Sequence, residues 1–410
     1  MSKIRYKGKS ATYLNKLNKI TVLKLIRESK EISRAEIVKR TKLSAPTVTR
    51  IVEVLVNDKL VAMIGDGDSS GGRPPKLLKF DGTNNYVIGV DLGSTSIRAA
   101  LSDLNGDFIT EIEAPTQLDG GVEIIIQQVA ALIDKLINRS KLSKKSILGI
   151  GLAVAGLINP QKGLVKYSPV FNWKNVQLNT ILKKYIDLPV IFDNVSRVTA
   201  LGEMYYGIGK KYKNFISVNV GYGIGAGIVV DSRPMYGNFG YAGEFGHIVL
   251  EKNSNYVGKD GIKGSLEALS SGYGIAEIAI NKLQKGHKSQ LSNLDEKELT
   301  AEAVFKAAAS GDALAKEIID SALQYLGQGV ALLTNIFDPE AIVFSGGLTK
   351  SGPSFFKKIE KYASDYQFKA DVREAVRILP SSFQEDASLM GAFSLITSKV
   401  LNFDSEFNVK

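Results

Sequence analysis

The stretch "YVIGVDLGSTSIRAALSDLNGDFITEI", residues 86–112, decides the fold. Its first seven residues are apolar apart from Asp91, and Gly93-Ser94-Thr95 then breaks the run. A second apolar run spans Ile97 to Leu101, Asn105-Gly106 supplies a hairpin turn, and a third run begins at Phe108. The order is strand, glycine turn, strand, hairpin turn, strand. A helical period follows from about Val122 to Asn138, and "ILGIGLAVAGLI" (147–158) reads as a buried strand with small residues. The same device returns in "FISVNVGYGIGAGIVVDSRPM" (215–235), and "AIVFSGGLTKSG" (341–352) is a further strand ending in glycines. Two glycine-hinged hairpins, each backed by helices, predict a duplicated α/β unit with a cleft between its halves. Glycines at strand ends let a ligand, often a phosphate, approach the backbone.

The whole composition sets bounds on what this unit serves. At 410 residues, 44% hydrophobic and 23% charged, the chain is expected to be soluble and to hold two or three domains. It has no run of 18 apolar residues to span a membrane. The opening "MSKIRYKGKS" lacks the apolar core of a secretory signal, so a cytoplasmic location is expected. The absence of cysteine excludes disulfides, thiolate catalysis and cysteine-bound zinc. Charge is unevenly placed. Residues 1–80 hold 18 Lys and Arg against 7 Asp and Glu, a net of +11, whereas the remaining 330 residues are close to neutral. A basic module joined to a neutral body predicts nucleic-acid contact by the first and not the second.

That basic module carries three helical patterns. Leu14, Leu17, Val22, Leu25 and Ile26 form the stripe of a first helix. Ser33 can cap a second, and Ser44 a third with Pro46 in its first turn. Thr41-Lys42-Leu43 is the turn between them, and Val48, Ile51, Val52 and Leu55 face the core. This is helix-turn-helix order, in which the third helix enters the major groove. Ser44, Thr47 and Arg50 are the candidate base readers. Leu60 to Ile64 and Leu77 to Phe80 read as strands around "GDGDSSGGRPPK", a loop too rich in glycine and proline to pack a core. This is the pattern of a wing, with Arg73 at its tip and Lys76 at its return as candidate DNA contacts. A generic three-helix bundle explains the helices but not the wing.

The stretch "PVIFDNVSRVTALGE" (189–203) reads as a strand, a polar end at Asp193, Asn194 and Ser196, and a helix from Val198. Ligands of open α/β sheets bind at such strand ends. With "GIGLAVAGLINPQKGLV", "GYGIGAGIV", "AGEFGHIVL", "GSLEALSSG" and "IVFSGGL", it makes the body from Tyr86 to about Val400 resemble the ROK family (repressors, open reading frames and sugar kinases). That family lies within the actin–hexokinase superfamily. A body of this kind behind a winged helix resembles the family's repressor branch, xylose repressors among them. The resemblance implies three parts: a DNA-binding domain over 1–80; a first lobe over 81–200, completed by 386–410; and a second lobe over 201–385. It also implies operator DNA and a small sugar effector as partners, and a homodimer or dimer of dimers.

The resemblance further implies Glu244, His247, Glu267 and Asn194 as sugar ligands. The family's kinases place a catalytic aspartate directly after the asparagine, and here that position is Val195. A valine cannot accept a proton, and loss of a positioned base costs on the order of 10²–10⁴ in rate. Asp193, two residues earlier, is the one substitute the sequence offers. The first phosphate loop has Ser94 and Ser96 in place of the family's glycine and polar residue, and Tyr222 stands where a phosphate-binding threonine is common. Many members carry three cysteines after the histidine; here the positions are Gly258, Asp260 and Ser265, so no zinc is expected. A sugar-responsive repressor without phosphoryl transfer, catalytic residues or cofactor is the leading expectation. An ATP-dependent sugar kinase that binds DNA is the rival.

Overall fold

The computed structural model describes residues 11–66, 76–259, 261–368 and 374–402. Three helices open the chain: α1 (Ala11–Glu28), α2 (Arg34–Thr41) and α3 (Ala45–Asn57). A three-stranded antiparallel sheet lies beside them, ordered β1-β3-β2 from β1 (Ile32–Ser33), β2 (Val61–Asp66) and β3 (Lys76–Phe80). The expected caps form: Ser33 Oγ accepts from the Glu36 amide at 3.2 Å, and Ser44 Oγ from the Thr47 amide at 3.4 Å. Val22, Ile26, Ile37, Val48, Val52, Leu55 and Leu78 are fully buried. The predicted stripe of α1 is buried only from Val22 onward; Leu14 and Leu17 are exposed. At 18 residues α1 is longer than the 13-residue α3, so its first turns run past the shared core.

Two five-stranded sheets follow. The first, ordered β11-β7-β4-β5-β6, comprises β4 (Tyr86–Leu92), β5 (Ser96–Asp103), β6 (Phe108–Pro115), β7 (Ile147–Val154) and β11 (Val190–Asn194). The second, ordered β14-β13-β12-β15-β16, comprises β12 (Phe215–Val220), β13 (Ile224–Val230), β14 (Arg233–Pro234), β15 (Ala341–Ser345) and β16 (Arg377–Pro380). In each, the strand that opens the unit pairs antiparallel with its hairpin partner and parallel with the later strand. The predicted duplication is present strand for strand. A small antiparallel sheet of β8 (Leu157–Asn159), β9 (Leu164–Ser168) and β10 (Trp173–Val176) is inserted in the first unit.

Helices α4 (Gly121–Ser140) and α5 (Leu178–Tyr185) cover the first sheet, and α7 (Leu266–Ser270), α8 (Gly272–Gln284), α9 (Ala301–Ala309), α10 (Ala313–Phe337) and α11 (Pro353–Ser364) cover the second. Two helices lie between the sheets: α6 (Val195–Tyr205) and α12 (Ala387–Leu401). Helix α12 rests on β4 and β7, and α6 on β12 and β13. Glycine makes these approaches possible. A Cβ on Gly151 would fall 1.8 Å from the Ala392 carbonyl oxygen, and one on Gly391 would fall 2.2 Å from that of Val198. The expected lobe boundary at 200/201 falls inside α6, a single helix packed against both halves.

The N-terminal module is also joined to the body by a shared core. Val22, Ile26, Val52 and Leu55 belong to one buried cluster with Val87, Leu104, Leu389, Phe393 and Ile396. The linker at Asp81–Asn85 is pinned as well, through Asp81 N–H to the Leu60 carbonyl and Leu104 N–H to the Gly82 carbonyl.

Candidate ligand cleft and nucleic-acid interface

Strand β11 ends at Asn194, and α6 begins at once, three residues earlier than its apolar pattern suggested. Asn194 is the reason. Its Oδ1 accepts from the amides of Ser196 and Arg197 at 2.9 and 3.3 Å, and its Nδ2 donates to the Gly156 carbonyl at 2.9 Å. The carboxamide expected to hold a sugar thus caps the helix, and offers a ligand only what its second Nδ2 hydrogen leaves.

Asp193 is not a substitute base. It is 1% exposed, and the Arg197 guanidinium grips it with Nε at 3.1 and 3.0 Å from its two oxygens and Nη2 at 2.5 Å from Oδ1. Val195 is already helical, so Asp193 and Val195 are not alternate residues of one extended strand that would face the same way. Burial pushes the Asp193 carboxyl up, while Arg197, the Asn194 amide and Tyr236 pull against that rise. Arg197 is itself 2% exposed and donates further to the Gly240 carbonyl at 3.1 Å and the Ile158 carbonyl at 3.4 Å. Its guanidinium carbon lies 4.9 Å from the centre of the Tyr236 ring. Burial pushes that phenol up to about 12. Arg197 therefore ties β11 and β8 to the loop after β14. Gly240 has φ +83°, and a Cβ there would meet the Ile158 oxygen at 2.7 Å. Sequence reasoning passed over Arg197 and Tyr236. The available signal was an arginine four residues after an aspartate, in the first turn of the predicted strand-to-helix junction.

The same loop leads into Glu244 and His247. Both are partly exposed, and His247 Nε2 lies 3.4 Å from Glu244 Oε2. Between them, Phe245 is buried, and Gly246 passes so close to β13 that a Cβ would meet the Ile224 oxygen at 2.3 Å. On the other side of Ile224, its amide donates to Glu267 Oε2 at 3.1 Å. The turn that carries Glu244 and His247 and the side chain of Glu267 thus meet at the first residue of β13. Helix α6 reaches the next position, where a Cβ on Gly225 would fall 2.2 Å from Ser196 Oγ. One Glu267 oxygen is spent on holding the second glycine turn in shape. The arrangement presents carboxylate and imidazole groups at one strand end, a chemistry suited to polyol hydroxyls.

The other half of the cleft differs. Tyr222 is 57% exposed, its ring 5.9 Å from that of Tyr273, with Lys259 Nζ 4.2 Å from its centre. These tyrosines line a groove of about 1370 Å³ with Glu277, Thr300, Lys350 and Phe355, which does not reach Asn194, Glu244 or His247. In the first hairpin, Asp91 accepts from Ser388 Oγ at 2.6 Å, and burial pushes its carboxyl up. The residues present do not fit zinc. Ser265 is buried and uses its Oγ to cap α7 by accepting from the Ala268 amide, and Gly258 offers no side chain. Asp260 lies outside the described residues.

On the N-terminal module, α3 is open to contact along one side. Ser44 and Arg50 are exposed and Thr47 is partly so. Ser44 and Thr47 hydroxyls bond each other at 2.8 Å, and Arg50 Nη2 donates to Asn15 Oδ1 of α1 at 3.2 Å. Lys76 is exposed at the start of β3. Arg73 lies outside the described residues. His287 is exposed. Glu203 is fully buried and accepts from Ile208 N–H, Ser381 Oγ and Ser382 N–H.

Known proteins of both kinds resemble this chain. It is 31% identical to the xylose repressor of Caldicellulosiruptor bescii over 395 residues, covering 96% of this chain and 98% of that one. A glucokinase of Halalkalibacterium halodurans is 33% identical over 316 residues, covering 77% of this chain and 96% of the enzyme. Among solved structures, a ROK family transcriptional regulator homologous to the Escherichia coli MLC protein aligns with a TM-score of 0.82 at 26% identity, over 95% of this chain and 97% of that one. The enzyme alignment thus leaves about a quarter of this chain uncovered, whereas the two regulators span nearly all of it. The ROK family model matches residues 87–399, and the chain belongs to the ROK family.

Proposed function

We propose that this protein is a sugar-responsive, DNA-binding transcriptional repressor of carbohydrate-use genes, and that its cleft binds a sugar without phosphorylating it. One observation carries the reading: the acid that the strand end offers, Asp193, is buried in a two-pronged pair with Arg197, beside a valine in the kinase base position. Glu244 and His247 remain partly open for hydroxyls, with lesser shares for Glu267 and Asn194. Ser44, Thr47 and Arg50 on α3, with Arg73 and Lys76 on the wing, address the operator. A homodimer, or a dimer of dimers, in the cytoplasm sets two α3 helices on a two-fold site. Sugar binding lowers operator affinity; a complete switch from 1:99 to 99:1 needs about 10⁴-fold preference for one state.

A mobility-shift titration at fixed salt, with D-xylose, N-acetylglucosamine and D-glucose in turn, tests this. Xylose is the first choice, given the xylose repressor of similar sequence. One sugar is expected to weaken DNA binding, and Glu244→Gln and His247→Asn to abolish that response while leaving sugar-free DNA binding intact. DNA affinity indifferent to every sugar that binds would overturn the reading. The kinase alternative has its own support in the 33% identity to a glucokinase. Sugar-dependent ADP release above background, in a coupled assay with ATP, would establish it.

A further inference from the structure

Arg27 lies in the last turn of α1, the helix that opens the DNA-binding module. Its Nη2 donates to the carbonyl of Tyr205 at 3.0 Å, across 178 residues of chain. Tyr205 is the last residue of α6, where helix carbonyls lack intrahelical partners and the macrodipole is negative. A cation suits that position. The guanidinium carbon also lies 5.4 Å from the Tyr205 ring centre, and 5.7 Å from those of Tyr206 and Phe80. Tyr206 is in turn fixed to α12, its hydroxyl 2.6 Å from Thr397 Oγ1.

The opposite end of α6 is the cleft. Asn194 caps it there, and Arg197, in its first turn, holds Asp193, Ile158, Gly240 and the Tyr236 ring. One helix of 11 residues, about 16 Å long, therefore has the ligand-side clamp at its N-terminus and the DNA-binding module at its C-terminus. Its flanks are backbone contacts at glycines: Gly202 against Gly391 on one side, Gly225 and Gly227 against Ser196, Arg197 and Ala200 on the other. Val198 and Leu201 of α6 also pack against Ala153, Ala392 and Leu395, so a shift of α6 is shared with α12, and a helix is stiff along its axis.

We propose that Arg27 is the positioning residue that couples the sugar cleft to the DNA-binding helices, acting through the C-terminus of α6. The proposal rests on the ligand-responsive reading above. A ligand that shifts the loop at Gly240 moves Arg197 and the start of α6. The Tyr205 carbonyl then moves under Arg27, and α1 follows with α3.

The test uses full-length wild type, Arg27→Met and Arg27→Lys, with duplex DNA selected by the wild type from a random pool, at fixed salt. D-xylose, N-acetylglucosamine and D-glucose are the ligands. Calorimetry gives sugar affinity, and titration with and without sugar gives the ratio of DNA affinities. A wild-type ratio of about 5–150 is expected. Arg27→Met is expected to bind sugar as wild type does, with its ratio close to one, and Arg27→Lys to recover part of the ratio. A residue that only braces the fold would lower the melting temperature and leave the ratio alone, which overturns the proposal. If Arg27→Met does not fold, Arg27→Lys decides on the same ratio, since lysine keeps the charge but loses the planar donor. A wild type whose DNA affinity ignores all three sugars overturns the ligand-responsive reading and this proposal together; a normal ratio in the variants overturns this proposal alone.

Discussion

At the scale of single residues, Arg197 decides the character of the cleft. Breaking a buried ion pair by removing one partner costs about 3–5 kcal/mol, because the other charge is stranded. Arg197→Met is therefore expected to destabilise the protein by that amount, read as the urea midpoint at unchanged slope. Adding Asp193→Asn to it should recover most of the loss, since the stranded carboxylate is gone. A double variant no more stable than the single one would show that Arg197 acts by packing alone. Asp91 gives a pH test. Burial lifts its carboxyl, with the Ser388 hydroxyl and Arg98 working the other way. Folding therefore favours the protonated form. Stability from this group is fully present below the ordinary carboxylate value of about 4 and is lost as pH rises through the raised folded value. Asp91→Asn removes that loss. It should melt higher than wild type near neutral pH, and the difference should close as pH falls toward about 4. A difference that does not vary with pH would contradict the assignment.

At the scale of elements, the two central helices are held by absence of side chains. Strand β7 passes α12 at Gly151, where an added Cβ would sit 1.8 Å from the Ala392 carbonyl oxygen. That neighbour is backbone and has no rotamer to turn away. Gly151→Ala is expected to cost at least the roughly 1–3 kcal/mol of an overpacked core, measured by thermal or urea unfolding. Gly261→Ala serves as a control for added volume, because nothing lies within 4 Å of its Cβ position, although its φ of +83° carries a backbone cost of its own. Equal losses in the two variants would mean that the β7–α12 approach is looser than described. Local sequence signalled several element ends: Ser33, Ser44 and the Asn105-Gly106 turn behave as their residue types require. Helix α6 starts at Val195 rather than Val198 because the Asn194 cap fixes its first turn, whereas in sequence Val195 stands alone between the polar residues Asn194 and Ser196.

At the scale of the whole molecule, charge and cohesion oppose each other. The net +11 of residues 1–80 sits on a module that shares its core with β4, β5 and α12. DNA affinity should fall steeply with salt. With about 6–10 phosphate contacts, the loss between 50 and 200 mM is on the order of 10³–10⁵-fold. Titrations at several salt concentrations give the slope, and a flat response would remove nucleic acid as the partner. Module and body should unfold together, because Phe393 and Leu389 of α12 lie in the same cluster as Val22 and Leu55.

The sequence by itself determined the architecture: apolar runs broken by glycine, the duplicated hairpin, the capped three-helix module and its positive charge are local patterns that need no partner to be read. It also determined that valine fills the kinase base position. Only the tertiary structure decided what Asp193 and Asn194 do, since a carboxylate next to a cleft looks the same in sequence whether it faces solvent or an arginine. Likewise, Arg27 lies 178 residues before Tyr205, and no periodicity joins residues that far apart. Such contacts arise where two packed elements happen to end together, and chain order does not encode them.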